Sequence, residues 1–567
     1  MRDPRAYLVA LVLATYAGIL RLTVLGADSW ALIESARIAS WSDLAGTFTE
    51  PFMEGRYRIA YYRPVLSLSL ALDWAVGGIR PVVYQLDQLT LFLAAALVLL
   101  ALVRRLTGPG HDLEALLATA AFALYPPLWQ TIPVASRRHD VGCLLLLSAT
   151  VLAHLERDGT ARERVRWRTG ALALLAAGIK ETGYLALPMA LWTVVVFSPR
   201  QGIRAKLTQA LRTTLPELLA LALLTGARLT VLRGASPADG ALLPTPAAMA
   251  ALARRVLLAD LDLAQTPAGE YSLVIVGVGV MFLAALLART RRSGADGGAC
   301  NGRALRVLTF ALGWFLMAGL LLATQGVAGI TSWHLPLPMA AVSLGTAALM
   351  AGLRSSWSRW AKPARMAALL CIAPLLSMLI LHVSHSQLVR RDDTWARWDA
   401  ELRPYLDDLE RRIRESPDGA HLEVPRPPGA GTSISSRSQA AWARLHFPER
   451  RLIVVGPLGR GVRVADGVVL TLEDALILDW SGLEGETWRA ISRLSEDTPA
   501  AQAAVKLFAQ LYVQGRMEEA RAALVSAAKV GSQPAATLTL LERFFESIAA
   551  QQDAGRARAA LRELGGS

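Results

Sequence analysis

Cysteine is scarce. The 567 residues hold three, Cys143, Cys300 and Cys371, far apart and without metal-ligand spacing, and two of them lie in apolar runs. That excludes a disulfide framework and a cysteine-built zinc site. Charge is scarce too: 19% of residues are Asp, Glu, Lys or Arg, against 53% hydrophobic and a mean hydropathy of +0.36. A soluble chain of this length would form several domains and carry more charge. No internal repeat of the apolar segments is visible.

Long apolar runs and basic loops are what the chain has in plenty. Stretches of about 20 apolar residues, the length of a bilayer-crossing helix, recur as far as about residue 386. The formal charge of +13 does not argue for nucleic acid, because most Arg and Lys lie in short loops between these runs, where they fix topology. Met1–Arg5 and the apolar run to Leu20 read as a signal peptide, with a weak small-residue pattern at Val24 and Gly26, or as an uncleaved first span. A polytopic chain favours the span, with Arg2 and Arg5 keeping the N-terminus cytoplasmic. Arg104-Arg105, Glu156–Arg168, Pro199–Arg212, Arg289–Arg306 and Leu353–Arg365 then all fall on the cytoplasmic side. This predicts about eleven spans in an inner membrane, with the C-terminal part outside.

Six arginines break the rule: Arg56, Arg58, Arg63, Arg80, Arg137 and Arg138 fall on outward loops. Either their long side chains snorkel to the interface, or they meet an anion at the outer membrane face, such as a lipid phosphate. The stretch Gly26–Pro64 is the richest of these loops. Asp28 precedes a predicted helix over Ser29–Ser40, where it caps that helix or accepts the proton of an attacking hydroxyl. Tyr61-Tyr62-Arg63-Pro64 opens a short apolar segment, Val65–Val76, that reads as an interfacial helix. Its tyrosines form an aromatic belt, while Arg63 at its lip can pair with phosphate.

Pro133–Asp140 sets Arg137, Arg138, His139 and Asp140 at the mouth of the next span, where unpaired charge is costly. An Arg138–Asp140 bridge would satisfy part of it, leaving the other guanidinium for phosphate. Lys180-Glu181 interrupts an apolar stretch, Gly170–Phe197, too long for one helix, so the pair marks an outer turn. It bridges locally, or Lys180 faces an anion. Trp333-His334 begins a late span and adds a peripheral candidate. Beyond the last span, Gln387–Glu415 has the spacing of an amphipathic helix. Pro425–Ser436 reads as a linker, and strand-like runs at Arg451–Val455, Val462–Leu470 and Ala475–Trp480 suggest a small α+β module. Thr498–Leu564 reads as two helix hairpins, with Leu507, Gly515, Ala520, Leu524 and Ala527 at tetratricopeptide-like packing positions.

Five elements in this order resemble the GT-C superfamily of multi-spanning glycosyltransferases that use polyprenyl-phosphate sugars. Within it they resemble the protein O-mannosyltransferases and the tetratricopeptide-bearing transmembrane O-mannosyltransferases. The carriers are Asp28, Tyr62–Ser67, Ser136–Asp140, Lys180-Glu181-Thr182 with Leu187-Pro188, and Trp333–Pro336, over about residues 1–390. The resemblance implies Asp28 as base on the acceptor and Arg138 on the lipid phosphate, with Arg63 and Lys180 as further phosphate contacts. Arg137, Asp140, Glu181, Tyr62 and His334 would support the site. Three departures stand out. Asp28 is followed by Ser29, so there is no paired-acid metal motif and no metal or other cofactor is expected. Arg137 replaces a small residue, and Gln85 and Gln88 replace the His and Asn that usually follow the tyrosine at Tyr84.

The expected architecture is an all-α polytopic membrane protein, GT-C-like over 1–390, an extracytoplasmic α+β module over 391–497 and a helical, tetratricopeptide-like tail over 498–567. The expected function is inverting transfer of a sugar from a polyprenyl-phosphate carrier to a hydroxyl of a protein or cell-envelope glycan. Membrane lipid, the donor, the acceptor and a protein held by the tail would be its partners. A transporter or flippase, a lipid-linked-glycan ligase and a scaffold acting through its tail are the rivals. The absence of repeats and the gathering of charge at outer ends count against a transporter.

Overall fold

The computed structural model describes residues 3–26, 28–52, 61–155, 162–198, 202–232, 246–257, 298–323, 332–357, 382–386, 393–415, 421–423, 436–449, 453–455, 462–463, 469–470, 498–513, 517–547 and 551–565, with positions 362, 365, 380, 434 and 494. Arg56, Arg58, Cys371, Gly515, the basic run 289–292 and the strand-like run 475–480 lie outside them.

The described chain is mostly helical. α1 (Pro4–Tyr16) starts at a proline whose missing N–H costs nothing in a first turn, and Asp3 accepts the Arg5 N–H at 3.0 Å. α2 (Ser29–Ser35) and α3 (Trp41–Thr49) follow, then α4 (Pro64–Gly77) and α5 (Pro81–Thr107). α2 is shorter than the predicted 29–40, because Ser40 caps α3 through a reciprocal box with Asp43 and so ends the first helix early. α4 stops where Gly78 turns to φ +55. α6 (Asp112–Ala123), α7 (Arg138–Leu155), α8 (Arg162–Ile179), α9 (Ala186–Phe197), α10 (Ile203–Thr213), α11 (Leu215–Val231), α12 (Pro246–Leu257), α13 (Gly298–Ala323) and α14 (Pro336–Ser356) follow among the described residues.

Length and composition make this a membrane protein. α5, residues 302–322 of α13 and α14 are each long and apolar enough to cross a bilayer, and α10 with α11, bent by 52°, would make a fourth span. Leu312, Leu316 and Leu320 lie exposed at four-residue spacing along α13, as a lipid-facing stripe requires. About eleven such helices were expected from runs of about 20 apolar residues; among the described residues fewer meet that length. Part of the difference lies in breaks, since α4 and residues 167–179 and 181–197 are apolar but short. The break at Lys180 is the predicted one: it is extended (φ −159°, ψ 149°) between α8 and a 3-10 turn, Glu181–Leu185. A Cβ on Gly183 would overlap the Ala176 carbonyl, so glycine lets that turn fold back on α8.

Polar contacts sort the helix ends. Arg105, near the end of α5, donates to the Leu155 carbonyl at the end of α7, and Arg354, near the end of α14, reaches Glu114 near the start of α6 at 2.9 Å. These termini therefore share one end of the bundle. The starts of α5, α7 and α14 and the finish of α8 share the other, where the loops carrying Asp28, Arg63 and Lys180 lie.

α15 (Asp393–Glu415) covers that second end, with Trp395, Leu402, Leu406, Leu409 and Ile413 buried as the 3–4 spacing predicted. Trp395 Nε1 donates to the Trp129 carbonyl at 2.9 Å, Asp399 accepts the Thr23 N–H at 2.6 Å, and Arg403 donates to the Arg21 carbonyl at 3.1 Å. α16 (Ser436–His446) packs on α2. Sheet among the described residues is confined to two short pairs: β1 (His421–Glu423) parallel to β2 (Ile453–Val455), and β3 (Val462–Arg463) antiparallel to β4 (Val469–Leu470). The tail forms α17 (Pro499–Val513), α18 (Met517–Lys529), α19 (Pro534–Ser547) and α20 (Gln551–Gly565), paired as hairpins around a core of their own. Phe508 takes the core position expected for Leu507, which is 48% exposed.

Candidate functional site

Asp28 stands at the N-cap position of α2, yet its side chain makes no cap hydrogen bond. Its backbone (φ −106°, ψ 1°) is outside the extended region that aims an N-cap side chain at the first-turn amides. The residue is partly exposed. Its loop is stitched to the segment before α7. Gly26, at φ +107, takes a conformation that glycine accepts, and Leu25 forms a parallel bridge to Val134. Ser29 Oγ accepts the Ser136 N–H at 3.1 Å. Gln85 Nε2 donates to the Thr23 carbonyl at 3.0 Å and the Pro133 carbonyl at 3.1 Å, and Gln88 Nε2 to the Val134 carbonyl at 2.8 Å. The two glutamines noted as departures therefore bind both loops to α5.

Arg137 and the helix α7 continue directly from this junction. The Arg137 guanidinium lies 3.5 Å from the Trp333 ring centroid, beside His334. Asp140 pairs with Lys180, and His139 Nε2 lies 3.2 Å from its other carboxylate oxygen. The expected Arg138–Asp140 bridge is thus replaced by Lys180–Asp140. Arg63 grips Glu181 with Nε at 3.1 Å and Nη2 at 2.5 Å, and stacks 4.0 Å from the Tyr61 centroid. Arg228 reaches the same carboxylate at 3.8 Å. A small cleft opens between Asp140, Lys180, Thr182, Trp333, His334 and Leu322. His334 sits in the turn before α14, and burial, with cationic neighbours, pushes its pKa down to about 3, so it is neutral near pH 7.

Two predicted residues are engaged elsewhere. Tyr62 is buried and its hydroxyl donates to the Phe48 carbonyl at 3.0 Å, fastening α3 to the start of α4. Arg138 is fully buried. It pairs with Asp73 of α4 and lies 3.2 Å from Asp87 of α5, so its guanidinium ties three helices together. A phosphate contact at Arg138 would have to displace those carboxylates. Sequence reasoning missed both acids, although a lone Asp73 in an otherwise apolar helix is itself a signal that a cation lies opposite. Among the described residues, no three His, Cys, Asp or Glu side chains gather where they could hold a metal ion.

No family model and no curated protein matches the chain. Solved structures offer distant likenesses. The archaeal oligosaccharyltransferase AglB from Archaeoglobus fulgidus, in complex with an inhibitory peptide and a dolichol-phosphate, aligns at 12% identity and a TM-score of 0.45, covering 91% of this chain and 71% of that one. ArnT from Cupriavidus metallidurans in the apo state aligns at 14% identity and 0.44, covering 80% of this chain and 85% of that one. ArnT bound to undecaprenyl phosphate gives 13% and 0.43 with the same coverage. At TM-scores below 0.5 these likenesses carry no conclusion about this chain, which is read below from its own residues.

Proposed function

We propose that the chain is a membrane glycosyltransferase of the GT-C kind, moving a sugar with inversion from a polyprenyl-phosphate carrier to an acceptor hydroxyl of a protein or cell-envelope glycan. One juxtaposition carries the reading: a partly exposed carboxylate not used as a helix cap, on a loop joined to a cluster of cations. Arg63 and Arg228 reach Glu181, Lys180 pairs with Asp140, and Arg137 lies over Trp333 beside His334, so four cationic side chains gather at this end of the bundle. Such a gathering suits a lipid phosphate at the membrane surface. The opposite end of the bundle bears Arg104, Arg105 and Arg354, which supports placing the cluster on the outer face.

In this mechanism the acceptor oxygen attacks the anomeric carbon from the side opposite the phosphate. The carbon–oxygen bond to the phosphate breaks and its electron pair leaves on the phosphate oxygen. Asp28 takes the hydroxyl proton, a role worth roughly 10²–10⁴ in rate. Lys180, Arg63 and Arg137 stabilise the charge that develops on the departing phosphate. The Trp333 ring, 3.5 Å from the Arg137 guanidinium, helps to position that planar fork of donors, whose shape suits phosphate recognition. Arg138 we assign to clamping α7 against α4 and α5 instead of to the phosphate.

The test compares cell-envelope glycans and glycoproteins by mass spectrometry in wild-type, deletion and Asp28→Asn strains. The expected outcome is loss of one sugar from one class of acceptor in both altered strains. Full turnover by an Asp28→Asn protein that expresses normally would falsify the base assignment. Identical glycans in wild-type and deletion strains would favour a transporter or scaffold.

A further inference from the structure

A helix leaves the amides of its first turn without partners, and an N-cap aspartate ordinarily accepts the second or third of them with its own carboxylate. In α2 the third amide is that of Ala31. It donates to Ser438 Oγ of α16 at 3.3 Å, across 407 residues of sequence. The first amide, Ser29 N–H, goes to the Gly26 carbonyl at 3.1 Å. Ser438 is fully buried. Its register on α2 is fixed by two further contacts: Arg444 holds Glu34 through Nε at 2.6 Å and Nη2 at 2.8 Å, and Trp30 meets the His446 ring edge-on at 5.2 Å.

We infer that Ser438 caps α2 in trans and thereby releases the Asp28 carboxylate from the capping duty its position would give it. Ser438 is then a positioning residue: it touches no reacting atom, and it makes a partly exposed carboxylate compatible with a satisfied helix start. The consequence for turnover rests on the reading of Asp28 as base; the capping exchange does not. Without the Ser438 hydroxyl, the nearest acceptor in sequence for the Ala31 amide is the Asp28 side chain. A carboxylate that turns inward to accept an amide is misaligned for the acceptor, and its pKa falls because the bond favours the charged form.

Both layers can be tested on the purified full chain in detergent. In a thermal-unfolding cycle, Asp28→Ala lowers Tm more in the Ser438→Ala background than in wild type, because only there has the carboxylate become the cap. Equal shifts in the two backgrounds overturn the inference. In transfer assays with undecaprenyl-phosphate-linked sugar, Ser438→Ala lowers kcat by tenfold or more with KM for the donor unchanged, since a misplacement of about 1 Å costs on the order of 10²-fold. The acidic limb of its pH–rate profile moves to lower pH. An unchanged kcat and acidic limb, in a protein whose transfer is lost on Asp28→Asn, also overturns it. If Asp28→Asn retains transfer, the base reading falls while the unfolding cycle still decides the cap.

Discussion

Replacing Arg138 by methionine tests the division of labour among the arginines. The guanidinium is fully buried between Asp73, whose side chain is 8% exposed, and Asp87, which is 34% exposed and 3.2 Å away. Removing it leaves Asp73 as a buried carboxylate without its ion pair, which costs about 3–5 kcal/mol. Asp87 is open enough to rehydrate, so its loss adds only about 0–1 kcal/mol. Against a typical total of about 5–15 kcal/mol, this is a large fraction of the fold's stability. Thermal unfolding in detergent should show Arg138→Met melting well below wild type. Arg138→Met with Asp73→Leu should recover most of the loss, because apolar replacement of both partners is close to neutral. On the clamp reading the double variant also transfers sugar. A single variant of wild-type stability that has lost transfer, or a double variant restored in stability but inactive, would refute the clamp and return the phosphate contact to Arg138.

Two further outcomes follow from the same geometry. Glu181→Gln removes the carboxylate that Arg63 grips, so undecaprenyl phosphate should bind about fivefold more tightly, the equivalent of ~1 kcal/mol, in native mass spectrometry; weaker binding would mean that Glu181 orders the site instead of competing for its cation. Burial lowers the His446 pKa, while the bond from its Nδ1 to the Trp442 carbonyl at 2.8 Å and, less strongly, Glu410 oppose the shift. Its folded pKa lies below the ordinary 6.5, so the unfolded chain takes up the proton first. Its contribution is complete above about pH 6.5 and declines as pH falls from there toward the folded value. Amide protection factors in residues 29–35, taken relative to the intrinsic exchange rate at each pH, should therefore fall on acidification in wild type, and less so in His446→Phe; the same response in both would exclude His446 as the cause.

Much of the helical architecture was legible along the chain because its signals are local. Pro64 and Gly77-Gly78 bound α4, the 3–4 spacing after residue 390 gives the buried face of α15, and Lys180-Glu181 breaks an apolar run that lipid would not tolerate unbroken. Helix ends were less legible. α2 stops at Ser35 because Ser40 and Asp43 begin another helix, and the reciprocal Ser40–Asp43 cap outweighs the continuing helical pattern. The position of Leu507 against Phe508 was misread because adjacent apolar residues face different sides of a helix, and only the packed hairpin selects one.

The sequence by itself determined that the chain belongs in a membrane, which end of its helices is basic, and which few charged residues stand at the other end. Apolar run length and loop charge are properties of short segments, so they survive reading without a fold. Only the tertiary structure decided partners. Arg138 meets Asp73 and Asp87, Lys180 meets Asp140, and Arg63 meets Glu181 across separations of 40 to 118 residues, with the Asp87 contact falling within that range. Ser438 reaches Ala31 across 407 residues of sequence. A buried charge or amide is satisfied by whatever packing brings within about 3 Å of it, and no local pattern encodes that.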